Sequence, residues 1–280
     1  MIQQRVSGQF IAGTKGPLFV LLRQPLAECR GCVLVVPPFA EEMNKCRRTI
    51  TEVALQLVER GIAVVLPDLF GTGDSGGDFS DATWQVWLGD VARTARWSEA
   101  QGCPVTGVLA IRLGCSLAAE AIASGGLPAI NRSVLWQPVF DGGRCLVQFL
   151  RLRVAACLAN DLKESVAELH RQLAGGETLE VAGYRLSGQL ATDLSSLSPP
   201  AHLPLDLGEI AWLEVVREAG GLLPTPSQDL IERTRAEGGQ VSALAVVGEP
   251  FWTSTEIVVV PQVVSATVGH LGGLAASGSA

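Results

Sequence analysis

The sequence predicts an α/β fold in which a mainly parallel, doubly wound sheet carries a cap insertion. Three features support that expectation. Short apolar runs alternate with stretches of helical period, the central runs are apolar at every position, and the alternation breaks down once, between about 141 and 205. Uninterrupted apolar strands are those buried on both faces, as in parallel sheets. The resulting division is a core of residues 1–140 and 206–280 with a cap insertion at 141–205.

The elements follow in order. Residues 6–11 and 18–22 are apolar runs joined by Ala12-Gly13-Thr14-Lys15-Gly16, which reads as a β-hairpin at an antiparallel edge. Cys32–Val36 is a β-branched run that stops at Pro37-Pro38, a strand buried on both sides. A helix is expected over 44–60, with Asn44 as its cap, Ile50, Val53, Ala54, Leu57 and Val58 on its apolar face, and Gly61 closing it. Residues 62–66 form the next strand. A helix over 82–100, a strand over 105–111, a helix over 113–124 and a strand over 133–136 continue the pattern. Within the insertion, 145–174 is helical, 177–187 reads as a short hairpin and 195–200 as a loop. The core returns as a strand over 210–216, a helix over 226–237, a strand over 241–247 and a terminal helix over 255–271 broken near Pro261, before a fraying tail at 275–280.

Composition narrows the function classes. The chain has 280 residues, 48% of them hydrophobic and 18% charged, which excludes global disorder. A net charge of −7 and a pI near 5.1 remove the basic footprint that nucleic acids or anionic membranes require. Mean hydropathy is positive, at +0.31, yet runs such as 31–40 and 62–66 are far too short to span a bilayer, so no membrane span is expected. The polar residues 1–5 lead into no apolar segment, so no secretory signal is expected, and a cytoplasmic location follows. Seven cysteines, an odd number spread through apolar stretches, fit reduced core thiols. The Cys29-x-x-Cys32 pair lacks the second pair or nearby His of a zinc site, so it reads as packing and no metal is expected.

Ligand sites of doubly wound sheets lie at the carboxyl ends of the strands, which directs attention to three loops. The first is Asp68-Leu69-Phe70-Gly71-Thr72-Gly73-Asp74-Ser75-Gly76-Gly77. Its glycines read as a tight turn needing positive φ. They are not followed by an apolar helix, which argues against a dinucleotide loop, and no cofactor is expected. The D-x-x-G-x-G-x-S spacing resembles the segment that follows a central strand in α/β-hydrolase-fold proteins. The second loop is Pro37-Pro38-Phe39-Ala40-Glu41-Glu42-Met43-Asn44-Lys45-Cys46-Arg47-Arg48. With Ala82-Thr83-Trp84, Leu135-Trp136-Gln137-Pro138 and Gly248-Glu249-Pro250-Phe251-Trp252, it resembles the exosortase A system-associated hydrolase 2 family. That resemblance implies an α/β-hydrolase fold, an acyl- or ester-type hydrolase, and partner proteins of an exopolysaccharide and surface-protein sorting system.

The third loop bears on mechanism. The strand at 105–111 runs into Ala110-Ile111-Arg112-Leu113-Gly114, so Arg112 falls where the resemblance implies a nucleophile between strand and helix. A guanidinium stays protonated and cannot attack a carbonyl. Cys115 and Ser116 lie further on, in the helix, and read as packing. The loop at 248–252 holds no histidine. His170, His202 and His270 read as surface or partly buried, although His202 or His270 could fold toward the cleft. Glu214 or Glu218 could supply a carboxylate, a surface position being the plainer reading for both. Arg112 at a helix N-terminus needs an anion. A bidentate pair with Glu41 or Glu42 is one solution, an exogenous phosphate or carboxylate held by the arginine and the helix terminus is another, and an arginine swung out to solvent is the third. Arg47 and Arg48 read as a solvated helix face. Arg112, Glu41, Glu42, Asn44 and Gln137 are thus the candidate binding residues, with Glu41 or Glu42 as candidate activators of a water. The expected ligand is a small anionic or acyl molecule. The competing readings are a hydrolase and a catalytically inactive binding or scaffold protein that uses the same cleft.

Overall fold

The computed structural model of the chain describes residues 4–159, 163–218 and 220–274, so the tail expected to fray lies outside the described residues. Strands β1 (Gln4–Ala12) and β2 (Pro17–Pro25) form the predicted hairpin. The core strands are β3 (Cys32–Val36), β4 (Ala63–Pro67), β5 (Val105–Ile111), β6 (Arg132–Trp136), β9 (Glu209–Val216) and β10 (Val241–Val247), and β7 (Thr178–Val181) and β8 (Tyr184–Ser187) make a separate hairpin. The sheet order is β1-β2-β4-β3-β5-β6-β9-β10. β2 is antiparallel to both its neighbours, and every pairing from β4 to β10 is parallel. Strand order reverses between β3 and β5, which opens a crevice at their carboxyl ends.

Alternation along each strand divides the core into two layers. Leu34 and Val36 of β3 face the layer built on α2 (Trp84–Ala100), α3 (Gly114–Ala123) and α7 (Thr225–Ala236), whereas Val33 and Val35 face α1 (Glu42–Glu59) and α8 (Pro261–Leu271). Ile50, Val53, Leu57 and Val58 of α1 are all buried, as their three-and-four spacing predicts, and each contributes about 1.5–3 kcal/mol by leaving water.

The segment between β6 and β9 holds α4 (Gly142–Ala159), α5 (Val166–Ala174), the β7–β8 hairpin and α6 (Gly188–Ser196). It packs over the loops that follow β3 and β4: the Phe149 ring lies 5.0 Å from that of Phe39, Tyr184 lies 5.0 Å from Phe79, and the Trp84 main-chain N–H donates to Asp193 at 3.0 Å.

Several expectations are corrected. The helical stretch at 145–174 is two helices. Helix α6 was not foreseen, although Ser187 accepts a capping bond from the Leu190 N–H at 3.2 Å and Leu190, Ala191 and Leu194 face the core. The terminal helix starts at Pro261 rather than at 255, because proline is well suited to the first helical position. Asn44 does not cap α1. Ala40, at φ +49°, turns the chain directly into the helix, which therefore begins at Glu42.

The glycine-spaced loop proves to be a turn folded around one carboxylate. Asp68 accepts from the Asp74 N–H at 3.0 Å and from Arg47 at 3.0 Å, and Ser75 donates to the Asp68 carbonyl. Gly73 has φ +52°, and a Cβ there would stand 2.0 Å from the Asp68 carboxylate. Arg47, expected on a solvated face, thus has a partner.

Candidate functional site

Among the described residues, four other than glycine hold positive φ, and three of them stand just past the carboxyl ends of neighbouring strands: Ala40 at +49° after β3, Arg112 at +54° after β5 and Gln137 at +42° after β6. The fourth, Ala182, is in the turn of the β7–β8 hairpin. Side-chain-bearing residues are strained in this region, so the strain gathers where the sheet opens. Main-chain bonds hold it in place. The Arg112 N–H donates to the Trp136 carbonyl at 2.9 Å, and the Arg112 carbonyl accepts from Val139 at 3.1 Å. Gly114 lets α3 abut β3, since a Cβ there would lie 2.5 Å from the Pro37 carbonyl oxygen.

Arg112 Nε donates to Glu42 Oε1 at 2.9 Å, with the two side chains only 12% and 11% exposed. The guanidinium lies 5.1 Å from the Trp252 ring centroid and its Nη1 reaches the Gln137 carbonyl at 3.5 Å. The expected bidentate pair is therefore corrected to a single-point contact, and the partner is Glu42 rather than Glu41. A carboxylate in the first turn of α1 and a cation at the start of α3 meet here. The helix dipole favours the first and disfavours the second, and the pair offsets that cost.

Burial pushes Glu41 up to about 7, with the neighbouring Glu42 charge adding to the rise and Arg112 opposing it. Burial also raises Glu42, against the pull of Arg112. One oxygen of each carboxylate is buried without a hydrogen-bond partner. A single cation thus serves two desolvated carboxylates, an arrangement that retains a proton near neutrality.

The other candidates are placed as follows. Gln137 Oε1 accepts from the Val215 N–H at 2.7 Å, which ties β6 to β9 and commits its amide oxygen to the scaffold. Asn44 is exposed and reaches the Tyr184 hydroxyl at 3.5 Å. Glu214 is buried rather than on the surface, and its Oε1 accepts from Trp212 Nε1 at 3.0 Å and Ser227 Oγ at 2.7 Å. Glu218 is exposed. Ser116 Oγ donates to the Val139 carbonyl at 2.8 Å, and burial raises the Cys115 thiol well above its usual range, so both are packed into the helix. His202 lines a hollow shared with Ser116 but is held at the Leu203 carbonyl, 3.0 Å away. His270 lies at the opposite edge of the sheet, 2.9 Å from the carbonyl of Glu209, where β9 begins.

Two cavities flank the apex. A narrow cleft of about 60 Å³ lies among Phe39, Met43, Trp84, Trp87 and Tyr184. A larger one, about 270 Å³, is lined by Arg112, Asp141, Arg144, Gln148, Trp212 and Glu214. Sequence reasoning missed Trp252 as the cover over Arg112, and missed Asp141, Arg144 and Gln148 as cavity walls. The only signal was their place in the insertion or after the last strand. Among the described residues no group of three or more His, Cys, Asp or Glu side chains could hold a metal ion, and no helix is long and apolar enough to cross a membrane.

No protein-family model matches the chain, and no curated protein matches it in sequence. Solved structures do match in fold. A highly thermostable carboxyl esterase from Bacillus coagulans superposes with a TM-score of 0.65 at 13% identity, covering 98% of this chain and 99% of that one. Est1E from Butyrivibrio proteoclasticus with ferulic acid bound gives 0.61 at 18% identity, over 95% and 98% of the two chains. XC6422 from Xanthomonas campestris, an a/b serine hydrolase without lid, gives 0.55 at 15% identity over 95% of each. A parallel sheet with helices on both faces, entered by an antiparallel hairpin and matched over nearly its whole length by these enzymes, has the α/β-hydrolase fold.

Proposed function

We propose that this chain is a hydrolase-superfamily protein whose carboxyl-edge cleft binds a small anionic or acyl ligand without covalent serine catalysis. The observation that carries this reading is the guanidinium of Arg112 at the apex between β5 and α3, tied to Glu42 and covered by Trp252. Serine hydrolases of this fold present their nucleophile from that turn. A guanidinium offers only donors, and a tryptophan supplied by the loop after β10 cannot relay a proton as an imidazole does. Arg112 Nη2 is unbonded among the described residues, and Arg112 shares the larger cavity with Arg144 and Gln148, a donor set suited to a carboxylate or phosphate. Asp141 and Glu214 on the same walls favour a ligand that also carries a hydroxyl or amine donor. Residues 141–205 act as the cap over this cleft. The resemblance of 37–48 to exosortase A system-associated hydrolase 2 supports a cytoplasmic role beside exopolysaccharide synthesis and surface-protein sorting.

A second reading, hydrolysis of an acyl ester by a water that Glu41 activates, is favoured by one observation. Its carboxyl titrates at about 7, the range in which a general base works best at neutral pH. Exposure to a fluorophosphonate probe and to p-nitrophenyl acetate and butyrate separates the two. Binding alone predicts no labelled serine and no turnover above buffer, together with a rise in Tm in millimolar butyrate or phosphate that Arg144→Met diminishes. Turnover abolished by Glu41→Gln establishes the second reading, and a labelled serine overturns both.

A further inference from the structure

We propose, on the binding reading above, that the ligand of the larger cavity carries a protonated amine and that the Glu214 carboxylate receives it. Among the described residues four acidic side chains are buried, and three of them are answered inside the chain. Glu42 pairs with Arg112 at 2.9 Å. Asp68 meets Arg47 with one oxygen and the Asp74 N–H with the other, each at 3.0 Å. Asp90 accepts a main-chain N–H on each oxygen, from Thr14 and from Phe70, both at 2.9 Å. Glu214 differs. It is 2% exposed, and its Oε1 accepts from Trp212 Nε1 and Ser227 Oγ. Its Oε2 is buried with no hydrogen-bond partner, and no ion pair among the described residues includes it. A buried carboxylate without a cation is costly, and here the remedy has to come from outside the chain.

Glu214 lines the cavity of about 270 Å³ that also holds Arg112. Ile111, Trp136 and Leu213 are in register on β5, β6 and β9, which sets Arg112 and Glu214 at the same level on either side of Gln137. Two strand spacings, about 10 Å, separate their backbones, so a short carbon chain fits between the cationic and anionic ends of a ligand. Glu214 and Trp212 are buried, whereas Asp141, Arg144 and Gln148 are exposed. The carboxylate therefore marks the floor of the cavity and Arg144 its rim.

Asp141 is a poor rival for the amine, because its Oδ1 accepts the Arg144 N–H at 2.8 Å where α4 begins. The Trp212 and Phe140 rings, with centroids 5.9 Å apart, wall the same cavity, and aromatic faces attract an ammonium. A hydroxyl can donate to a carboxylate oxygen but brings no charge. An ammonium supplies both, in a charge-assisted bond about twice as strong as a neutral one. A chain tipped with an ammonium is thus drawn to Glu214 rather than to the aromatic cleft beside Tyr184, and its carboxylate is left to Arg112 and Arg144.

The test titrates the full wild-type chain at neutral pH with four ligands of one length, butyrate, 4-hydroxybutyrate, γ-aminobutyrate and n-butylamine, by isothermal calorimetry. γ-Aminobutyrate is expected to bind about tenfold or more tighter than butyrate, the gain of one hydrogen bond between charged groups. 4-Hydroxybutyrate should stay close to butyrate. Glu214→Gln keeps an acceptor for Trp212 and Ser227 and should bring γ-aminobutyrate down to the affinity of butyrate while abolishing butylamine binding. The comparison of ligands on the wild type decides the matter even if the variant fails to fold. Equal affinity for γ-aminobutyrate and butyrate, an equal gain from the hydroxyl, silence of both amines, or an amine gain that survives in Glu214→Gln overturns the assignment. Butylamine binding that Glu214→Gln removes, with no response to butyrate or phosphate, keeps the amine at Glu214 and overturns instead the anion site at Arg112 and Arg144.

Discussion

Loops at the carboxyl edge of the sheet reach positive φ with two opposite chemistries. After β4, positive φ is taken by Gly71 at +76° and Gly73 at +52°, and the side chain they accommodate is Asp68, whose carboxylate closes the turn at the Asp74 N–H and anchors it to Arg47 of α1. After β3, β5 and β6 the same region of backbone space is occupied by Ala40, Arg112 and Gln137. Glycine is free to adopt such angles, and a residue with a side chain is not. Where only shape is required the chain uses glycine. At Arg112 it bears the strain and keeps a long charged side chain, which meets Glu42 and Trp252. The contrast separates a loop whose job is to turn from one whose job is to hold a group in place.

That distinction breaks most readily at the ion pair. Arg112→Met keeps the strain and removes the cation, leaving Glu42 desolvated and unpaired, and should lower the unfolding free energy by about 3–5 kcal/mol in urea titrations. Arg112→Met with Glu42→Leu should recover most of the loss, because the pair as a whole is worth little against apolar packing. A single variant as stable as the wild type would mean that the guanidinium is not holding the apex. The glycine loop should respond next. Gly73→Ala is expected to cost about 2–3 kcal/mol, from a positive φ and a Cβ 2.0 Å from the Asp68 carboxylate. Adding Asp68→Ala removes the collision, so the double variant should lose less than the sum of the single ones.

The parts that could be read in advance were those governed by local pattern. The succession of β3 to β6 along the chain and their parallel sense followed from apolar runs bounded by turn residues, and the turn at Arg112 from its place between β5 and the glycine that opens α3. What escaped prediction depends on contacts distant in sequence. Glu41 and Glu42 are adjacent and chemically alike, and only the direction in which α1 leaves Ala40 decides which one meets Arg112. Trp252 is far along the chain, and its stacking over Arg112 depends on the loop after β10 folding back.

Glu41 tests the comparison through pH. Its folded value of about 7 is above the ordinary 4.5, so the folded state retains a proton that the unfolded chain releases. The associated stability is fully present below about 4.5 and is lost as pH rises through about 7. The loss is about 2 kcal/mol after allowance for partial contact with solvent. Glu41→Gln should flatten this part of the pH–stability profile. If the slope survives, the retained proton belongs to another group, Glu42 being the nearest alternative.

The smallest effect is expected at the rim. Asn44 is exposed, does not cap α1, and meets Tyr184 only at 3.5 Å, so its hydrogen bond is long and open to competing water. Asn44→Ala should change stability by no more than about 0.5 kcal/mol. Its use lies in ligand binding. If the narrow aromatic cleft beside Tyr184 holds the acyl part of a ligand, Asn44→Ala should weaken the butyrate-dependent rise in Tm and leave the phosphate-dependent rise intact. Arg144→Met should weaken both, because an acyl tail and an anionic head then occupy cavities on opposite sides of Arg112. Equal losses for the two ligands in Asn44→Ala would place the whole ligand in one cavity.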